Sequence, residues 1–512
     1  MNIKDKVQDL VKYCSSYQGH TNMMDERRKE QAFQVLLPEE RLIQNNMDQL
    51  QFILLTGEAG DGKSRLLRIL NQDLLDRGFD IYPDFSAMPE GDKQYVLHVI
   101  SDIIDEISDA RIIIAANIGV FTKSILQYQP NILEKLNEKN SRIKIINFEK
   151  RNLAQDEEIF KQIVRGFLEY DGEECPECIL CGRCIYKDNL EYLRSPKGIE
   201  SLRVLCDTVY LIGEHITFRE LLSLIAYMVT FGEPCNYQRN TRSVLPKPNS
   251  YEYIFDKNED RVLQHISRMD PACKRSIEIP YESIEQCIEK KREHFFQTRD
   301  DRYALLNIDY LSEFREVLQY FQENAFVDAG TIQDGVLYSL KRGLGRLTRK
   351  GQSDLGMTVA DTPTMLGNEI QTEFELGSMD IVWHRYGLDF NNLENNDLKD
   401  DSYNRFSVSY IYNDVDGKVK SITMIINYRL FRYLMMADNC YYLGHSNQSV
   451  EEYTINTFFR KILKTHKGVY GKMLVKFTDQ KRDELCNFSL SLQERNRILF
   501  PGEKVIKLKK EG

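Results

Sequence analysis

The segment Gly57-Glu58-Ala59-Gly60-Asp61-Gly62-Lys63-Ser64 constrains this chain more than any other. It follows a short apolar run, Gln51-Phe52-Ile53-Leu54-Leu55, which reads as a strand buried in a parallel sheet. It opens a stretch, Ser64 to Arg77, in which Leu66, Leu67, Leu70, Leu74 and Leu75 share one side of a helix that Gly78 stops. The spacing G-x-x-x-x-G-K-[ST] in that context predicts a loop for a nucleoside triphosphate. Its glycines let the backbone curl so that several N–H groups converge on a β-phosphate, at the positive end of the following helix. Lys63 is then placed for the β- and γ-phosphates, and the Ser64 hydroxyl for Mg²⁺. A guanine-specific Asn/Thr-Lys-x-Asp signature is absent, which favours ATP.

The surrounding pattern alternates strands and helices. A short strand over Phe79–Phe85 is broken by Pro83, and Val96, Leu97, Val99, Ile100, Ile103, Ile104 and Ile107 recur at helical spacing. Arg111–Asn117 reads as the next buried strand, followed by a helix over about 122–138, a strand at Ile143–Phe148 and a helix over about 155–169. Such alternation predicts an α/β fold, a doubly wound P-loop NTPase sheet over 46–170. Residues 1–45 read as an N-terminal helical segment, 171–195 as a cysteine-rich metal loop, 196–300 as a helical lid and 301–512 as a C-terminal α+β region. In that last region helices are expected at about 309–324 and 331–349, and a hairpin over about 406–427 around an Asp-Val-Asp-Gly turn. Residues 351–402 show no clear element.

Hydrolysis needs more than a binding loop: a carboxylate must hold Mg²⁺ and orient water. The usual strand of four apolar residues ending in Asp-Glu is absent. Asp105-Glu106 follows apolar residues of helical spacing and reads as helix surface, so Asp84, closing the 79–85 strand, is the candidate magnesium carboxylate. Asn117, at the tip of the strand RIIIAAN, is the candidate to orient the attacking water. Arg151 follows the next strand, and Arg219 opens the strongly amphipathic helix Thr217–Phe231.

Cys175, Cys178, Cys181 and Cys184 stand with two residues between successive members. Four thiolates at that spacing point to metal. Three of them suit the corners of an iron–sulfur cubane and four suit a Zn²⁺ site, and the spacing leaves both open. Cys14, Cys206, Cys235, Cys273, Cys287, Cys440 and Cys486 are scattered and read as small buried apolar residues.

A net charge of −10 argues against a protein that coats DNA. The one basic run, Lys341, Arg342, Arg346, Arg349 and Lys350, reads as a solvated helix face. No apolar run could span a bilayer, and Met1–Lys6 lacks an apolar signal core, so the expectation is a cytoplasmic protein.

The order P-loop, RIIIAAN, Ile143–Arg151, cysteine loop and His215-Ile216-Thr217-Phe218-Arg219-Glu220-Leu221 resembles the DptF family of bacterial DNA phosphorothioation-dependent restriction proteins, which are AAA+-like P-loop defence ATPases. Met269-Asp270-Pro271-Ala272 is similar to a Leu-Asp-Pro-Ala element of that group, and the resemblance covers about 50–275. It implies the sensor-1 role for Asn117 and the sensor-2 role for Arg219. It also implies action on DNA, directly or through other subunits of a restriction system, with a possible homo-oligomer. No PD-(D/E)xK or H-N-H pattern stands out, so DNA cutting is expected of a partner. The alternative expectation is a nucleotide-controlled scaffold or signalling switch that hydrolyses little.

Overall fold

The computed structural model describes residues 2–14, 35, 37–132, 141–171, 184–232, 234–235, 308–348, 356–359, 369–375, 381–388, 404–413, 417–439, 450–465, 468–477 and 482–491, with isolated positions between 266 and 292. The chain divides into two compact units. One comprises Met1–Tyr210 with Glu214–Asn307, and the other Leu211–Gly213 with Ile308–Gly512.

The first unit is built on a four-stranded parallel sheet of β1 (Phe52–Thr56), β2 (Phe79–Tyr82), β3 (Arg111–Ala116) and β4 (Ile143–Asn147), in the order β2-β3-β1-β4. Strand β1 is central, pairing Phe52 with Ile112 and Thr56 with Ala116 on one side, and Phe52 with Ile143 and Thr56 with Asn147 on the other. Every residue of β1 is buried, which explains why it is apolar throughout instead of alternating.

Alternate residues feed two cores, one on each face. Ile53, Leu55, Ile113 and Ala115 meet Ile43 of α2 (Pro38–Asn46) and its C-cap Met47, Leu66 and Leu67 of α3 (Lys63–Ile69) and Leu74 of α4 (Asn71–Asp76). Phe52, Leu54, Ile112 and Ile114 meet Val96, Leu97, Ile100 and Ile103 of α5 (Glu90–Ile104), and Phe121 and Ile125 of α6 (Ile118–Tyr128). Each such fully buried side chain contributes about 1.5–3 kcal/mol through its removal from water. Helices thus cover both faces of the sheet, as the alternating pattern predicts.

Several boundaries differ from the sequence reading. The helix expected from Ser64 to Arg77 is two helices, interrupted at Leu70, whose backbone leaves the helical region (φ −90°, ψ 2°). Pro83 ends β2 at Tyr82, short of the expected Phe85, since proline offers no N–H to the ladder. The helix after β3 starts at Ile118 because Asn117 caps it, and residues 133–140 lie outside the described residues.

The rest of this unit is helical: α1 (Ile3–Cys14), α7 (Glu157–Phe167), α8 (Ile185–Arg194), α9 (Pro196–Leu211) and α10 (Phe218–Thr230). Helix α1 lies on α10, where the Ser223 hydroxyl donates to the Tyr13 carbonyl at 2.9 Å. The Tyr13 ring meets Phe167 of α7 edge-on at 4.9 Å.

The second unit carries α11 (Leu311–Glu323), β5 (Phe326–Asp328), α12 (Gly335–Thr348), β6 (Gly356–Val359), β7 (Glu369–Glu375), β8 (Ile381–Arg385), β9 (Arg405–Asn413), β10 (Val419–Asn427), α13 (Tyr428–Asp438), α14 (Val450–Thr465), β11 (Gly468–Phe477) and β12 (Arg482–Ser491). They form two antiparallel sheets, β10-β9-β8-β5 and β12-β11-β7-β6. The expected hairpin is β9–β10, with Val408 opposite Met424. The span 351–402, in which the sequence shows no element, holds β6, β7 and β8. An aromatic cluster forms the core: Phe314 of α11 sits 5.0 Å from Phe431 of α13, and Phe406 of β9 lies 5.5 Å from Phe321 and 6.1 Å from Trp383.

Candidate functional site

Because β1–β4 are parallel, their carboxyl ends line one edge of the sheet, where ligands of open α/β sheets sit. The loop Gly57–Ser64 leaves β1 there and turns into α3. Gly57, Gly60 and Gly62 take φ of 142°, 106° and 95°, backbone angles that side-chain-bearing residues rarely adopt. At Gly60 space is limiting too: a Cβ would stand 2.9 Å from that of Arg219.

Within the loop, the Asp61 N–H donates to the Glu58 carbonyl at 3.3 Å, and the Glu58 N–H donates to Asp61 Oδ2 at 2.6 Å. The Lys63 ammonium donates to the carbonyls of Gly57 and Glu58, both at 2.7 Å. Burial depresses its pKa first of all. The carboxylates of Asp61, Glu149 and Asp84 work the other way, and the Arg151 guanidinium adds to the depression. Lys63 therefore stands in the field of groups from three strand ends. Ser64 is exposed at the start of α3.

Asp84 follows β2, separated from β1 by β3, and is exposed. Its Oδ1 accepts from the N–H groups of Ser86 (3.0 Å) and Ala87 (3.3 Å), capping the 3₁₀ turn Phe85–Ala87. Asn117 follows β3, directly beside β1. Its Oδ1 accepts from Gly119 at 2.9 Å and Val120 at 3.4 Å and so caps α6. Asp105 closes α5 as its C-cap, in keeping with a helix-surface reading. Arg219 touches the loop through its backbone, its N–H donating to the Gly60 carbonyl at 3.1 Å.

Contacts between distant segments bind this site together in ways that local patterning does not reveal. His215 Nε2 lies 2.7 Å from Oδ1 of Asp61, whose carboxylate is fully buried. Arg151 donates from Nη2 to the Asp61 carbonyl at 2.5 Å, with its guanidinium 4.8 Å from the Phe148 ring centre and 3.7 Å from Glu39. Its Nε and Nη1 and the Nδ1 of His215 are buried with no hydrogen-bond partner among the described residues. Arg65 of α3 pairs with Glu40 of α2 and donates to the Val35 carbonyl at 2.7 Å. Burial raises the Glu40 pKa, and the Arg65 cation opposes that rise. The local signal at His215 is the capping box that follows it. Thr217 Oγ1 accepts from the Glu220 N–H at 3.2 Å while Glu220 Oε2 accepts from the Thr217 N–H at 2.9 Å, fixing where α10 begins.

Cys175, Cys178 and Cys181 lie outside the described residues, as do Cys273, Cys287 and Cys440. Cys184 is half-buried at the N-cap of α8, in a cluster with Ile3, Val7 and Tyr186 against which Cys235 also packs. Cys206 is buried, which pushes its thiol pKa up. Among the described residues no group of three or more His, Cys, Asp or Glu side chains is arranged to hold a metal ion. Among the described residues, too, no helix is long and apolar enough to cross a membrane.

Compared with known proteins, the chain matches no family model, no curated protein and no solved structure.

Proposed function

We propose that the chain is an AAA+-like P-loop ATPase that binds ATP-Mg²⁺ at Gly57–Ser64 and drives or gates the action of partner proteins on DNA in a bacterial restriction system. One observation carries the reading: a central parallel strand runs into a loop of three positive-φ glycines and then into a helix opening on Lys63-Ser64. In this reading the loop N–H groups and Lys63 hold the phosphates, and the exposed Ser64 hydroxyl ligates Mg²⁺. Lys63 exchanges its two carbonyl partners for phosphate oxygens. Asp84 completes the metal site, Asn117 orients water through its side-chain amide, and Arg219 approaches the γ-phosphate from α10. The strand-end placement of Asp84 and Asn117 supports those roles. The link to phosphorothioation-dependent restriction rests on the resemblance of 50–275 alone, as does the role of partners in cutting. An iron–sulfur cluster or Zn²⁺ on Cys175, Cys178, Cys181 and Cys184 would brace the junction between the sheet and the helices.

A second reading, a nucleotide-controlled switch with little hydrolysis, is favoured by one feature: the Asp84 carboxylate is engaged in capping its own turn. Turnover of ATP by the purified chain, with and without double-stranded DNA and with Lys63→Ala as control, separates them. Turnover stimulated by DNA and abolished by Lys63→Ala supports the motor or gate. Binding without turnover leaves the switch.

A further inference from the structure

We infer that His215 is a positioning residue of the nucleotide loop, and that its bond to Asp61 links occupancy of the loop to helix α10. The inference rests on the ATPase reading and goes beyond it, because neither the loop motif nor the DptF resemblance assigns His215 a role.

Three contacts within five residues register the start of α10 on the loop. His215 Nε2 meets Asp61 Oδ1 at 2.7 Å. The Arg219 N–H donates to the Gly60 carbonyl at 3.1 Å. Thr217 Oγ1 and Arg219 Cβ close over Gly60, leaving no room for a side chain there. A carboxylate only accepts, so Nε2 of His215 carries the hydrogen that points at Asp61. The same carboxylate accepts from the Glu58 N–H through its other oxygen. Asp61 therefore bridges the near and far ends of the turn 58–61 and joins both to His215.

Lys63 is held by the carbonyls of Gly57 and Glu58, on that same turn. When phosphate draws Lys63 away, the turn loses two of its bonds and must settle again around Asp61. A buried carboxylate cannot be left without partners at low cost. The resettled turn thus keeps its bond to His215, and the first turns of α10 move or stiffen with it.

The test measures ATP-Mg²⁺ affinity by equilibrium binding, together with hydrogen exchange of the amides at 217–224, on the full chain. In the wild-type protein, ATP-Mg²⁺ slows exchange at 217–224. His215→Ala weakens binding about tenfold and removes the slowing, in line with loss of a hydrogen bond to a charged group. His215→Gln, whose amide N–H can reach Asp61, restores affinity to within about threefold and restores the slowing. In a double-mutant cycle, His215→Ala adds nothing further once Asp61 is Asn. Should His215→Ala fail to fold, His215→Asn, one methylene shorter, takes its place. Wild-type affinity and wild-type exchange in the shortened variant overturn the inference, and so does failure of His215→Gln to rescue. Failure of the wild-type protein itself to bind ATP-Mg²⁺ overturns the ATPase reading, a result distinct from the other two.

Discussion

Lys63 shows what the site demands of single residues. Burial lowers its pKa, yet Asp61, Glu149 and Asp84 surround it with negative charge, and two carbonyls take its hydrogens. An ammonium so placed must give up both carbonyls to meet an anion, and in the proposed function the phosphate oxygens replace them. Asp84 has two duties, capping the turn at 85–87 and contributing charge toward Lys63. Asp84→Asn separates them, because the amide oxygen still accepts from Ser86 and Ala87 while the charge is gone. Under the proposed ATPase function, turnover should fall roughly 100-fold while ATP-Mg²⁺ affinity changes less than about threefold. Steady-state hydrolysis and equilibrium binding on the same preparation check this, and equal turnover in both proteins would remove Asp84 from the metal site. At Glu40 the expected effect is on folding. Its carboxylate is fully buried against Arg65, so Glu40→Ala leaves a buried cation uncompensated and should cost about 3–5 kcal/mol in urea unfolding.

At the scale of elements, legibility followed the range of the interactions involved. The β1–loop–α3 unit reads directly from sequence because its signals are adjacent: five buried residues, three glycines and a leucine stripe. The amphipathic stretch Thr217–Phe231 is local as well, and α10 fills it from Phe218 to Thr230. The break at Leu70 was not legible, since nothing in Ile69-Leu70-Asn71 differs in period from its neighbours. Strands β6, β7 and β8 were missed for another reason. No local apolar run marks them, and two of their pairings join distant segments, as where Val382 of β8 pairs with Ser409 of β9 and Leu474 of β11 with Gln371 of β7. The Asp61–His215 bond, with 154 residues between its ends, lies beyond any local pattern. Close helix packing is equally hidden: Gly343 of α12 faces the Leu434 carbonyl of α13, and a Cβ there would come within 2.0 Å of that oxygen. A backbone oxygen cannot yield as a side chain can, so Gly343→Ala should destabilise the second unit by about 1–3 kcal/mol despite alanine's better helix propensity. Denaturant titration checks the sign. A stabilised variant would mean that α12 and α13 can separate without cost.

For the whole molecule, the two units differ in what reports on them. The chain has a single tryptophan, Trp383, fully buried in β8 of the second unit, so its fluorescence follows that unit. Beside it His384 is buried at 1% exposure, with Nδ1 2.7 Å from the Arg385 carbonyl and Nε2 2.8 Å from the Ser409 hydroxyl, which lies 2.7 Å from that of Thr423. A ring that donates at Nδ1 and accepts at Nε2 is neutral. Burial holds its pKa at about 4, against an ordinary 6.5, with the bond to Arg385 pulling the other way. The unfolded chain therefore takes up a proton near pH 6.5 that the folded unit refuses until about pH 4. Stability from this group is fully present above the unfolded pKa and is lost as pH falls from there toward 4. With about 1.4 kcal/mol for each pH unit crossed, the loss should reach about 2 kcal/mol by pH 5. Urea unfolding followed by Trp383 fluorescence at pH 7.5, 6.5, 5.5 and 5.0 measures it. Other carboxylates titrate in the lower part of that range, so the decisive quantity is the difference from His384→Gln, which keeps a polar side chain but cannot bind the proton. The variant should be the less stable protein at pH 7.5 and should close most of the gap by pH 5.0. Parallel pH profiles would mean that the imidazole gains its proton without unfolding the sheet around it.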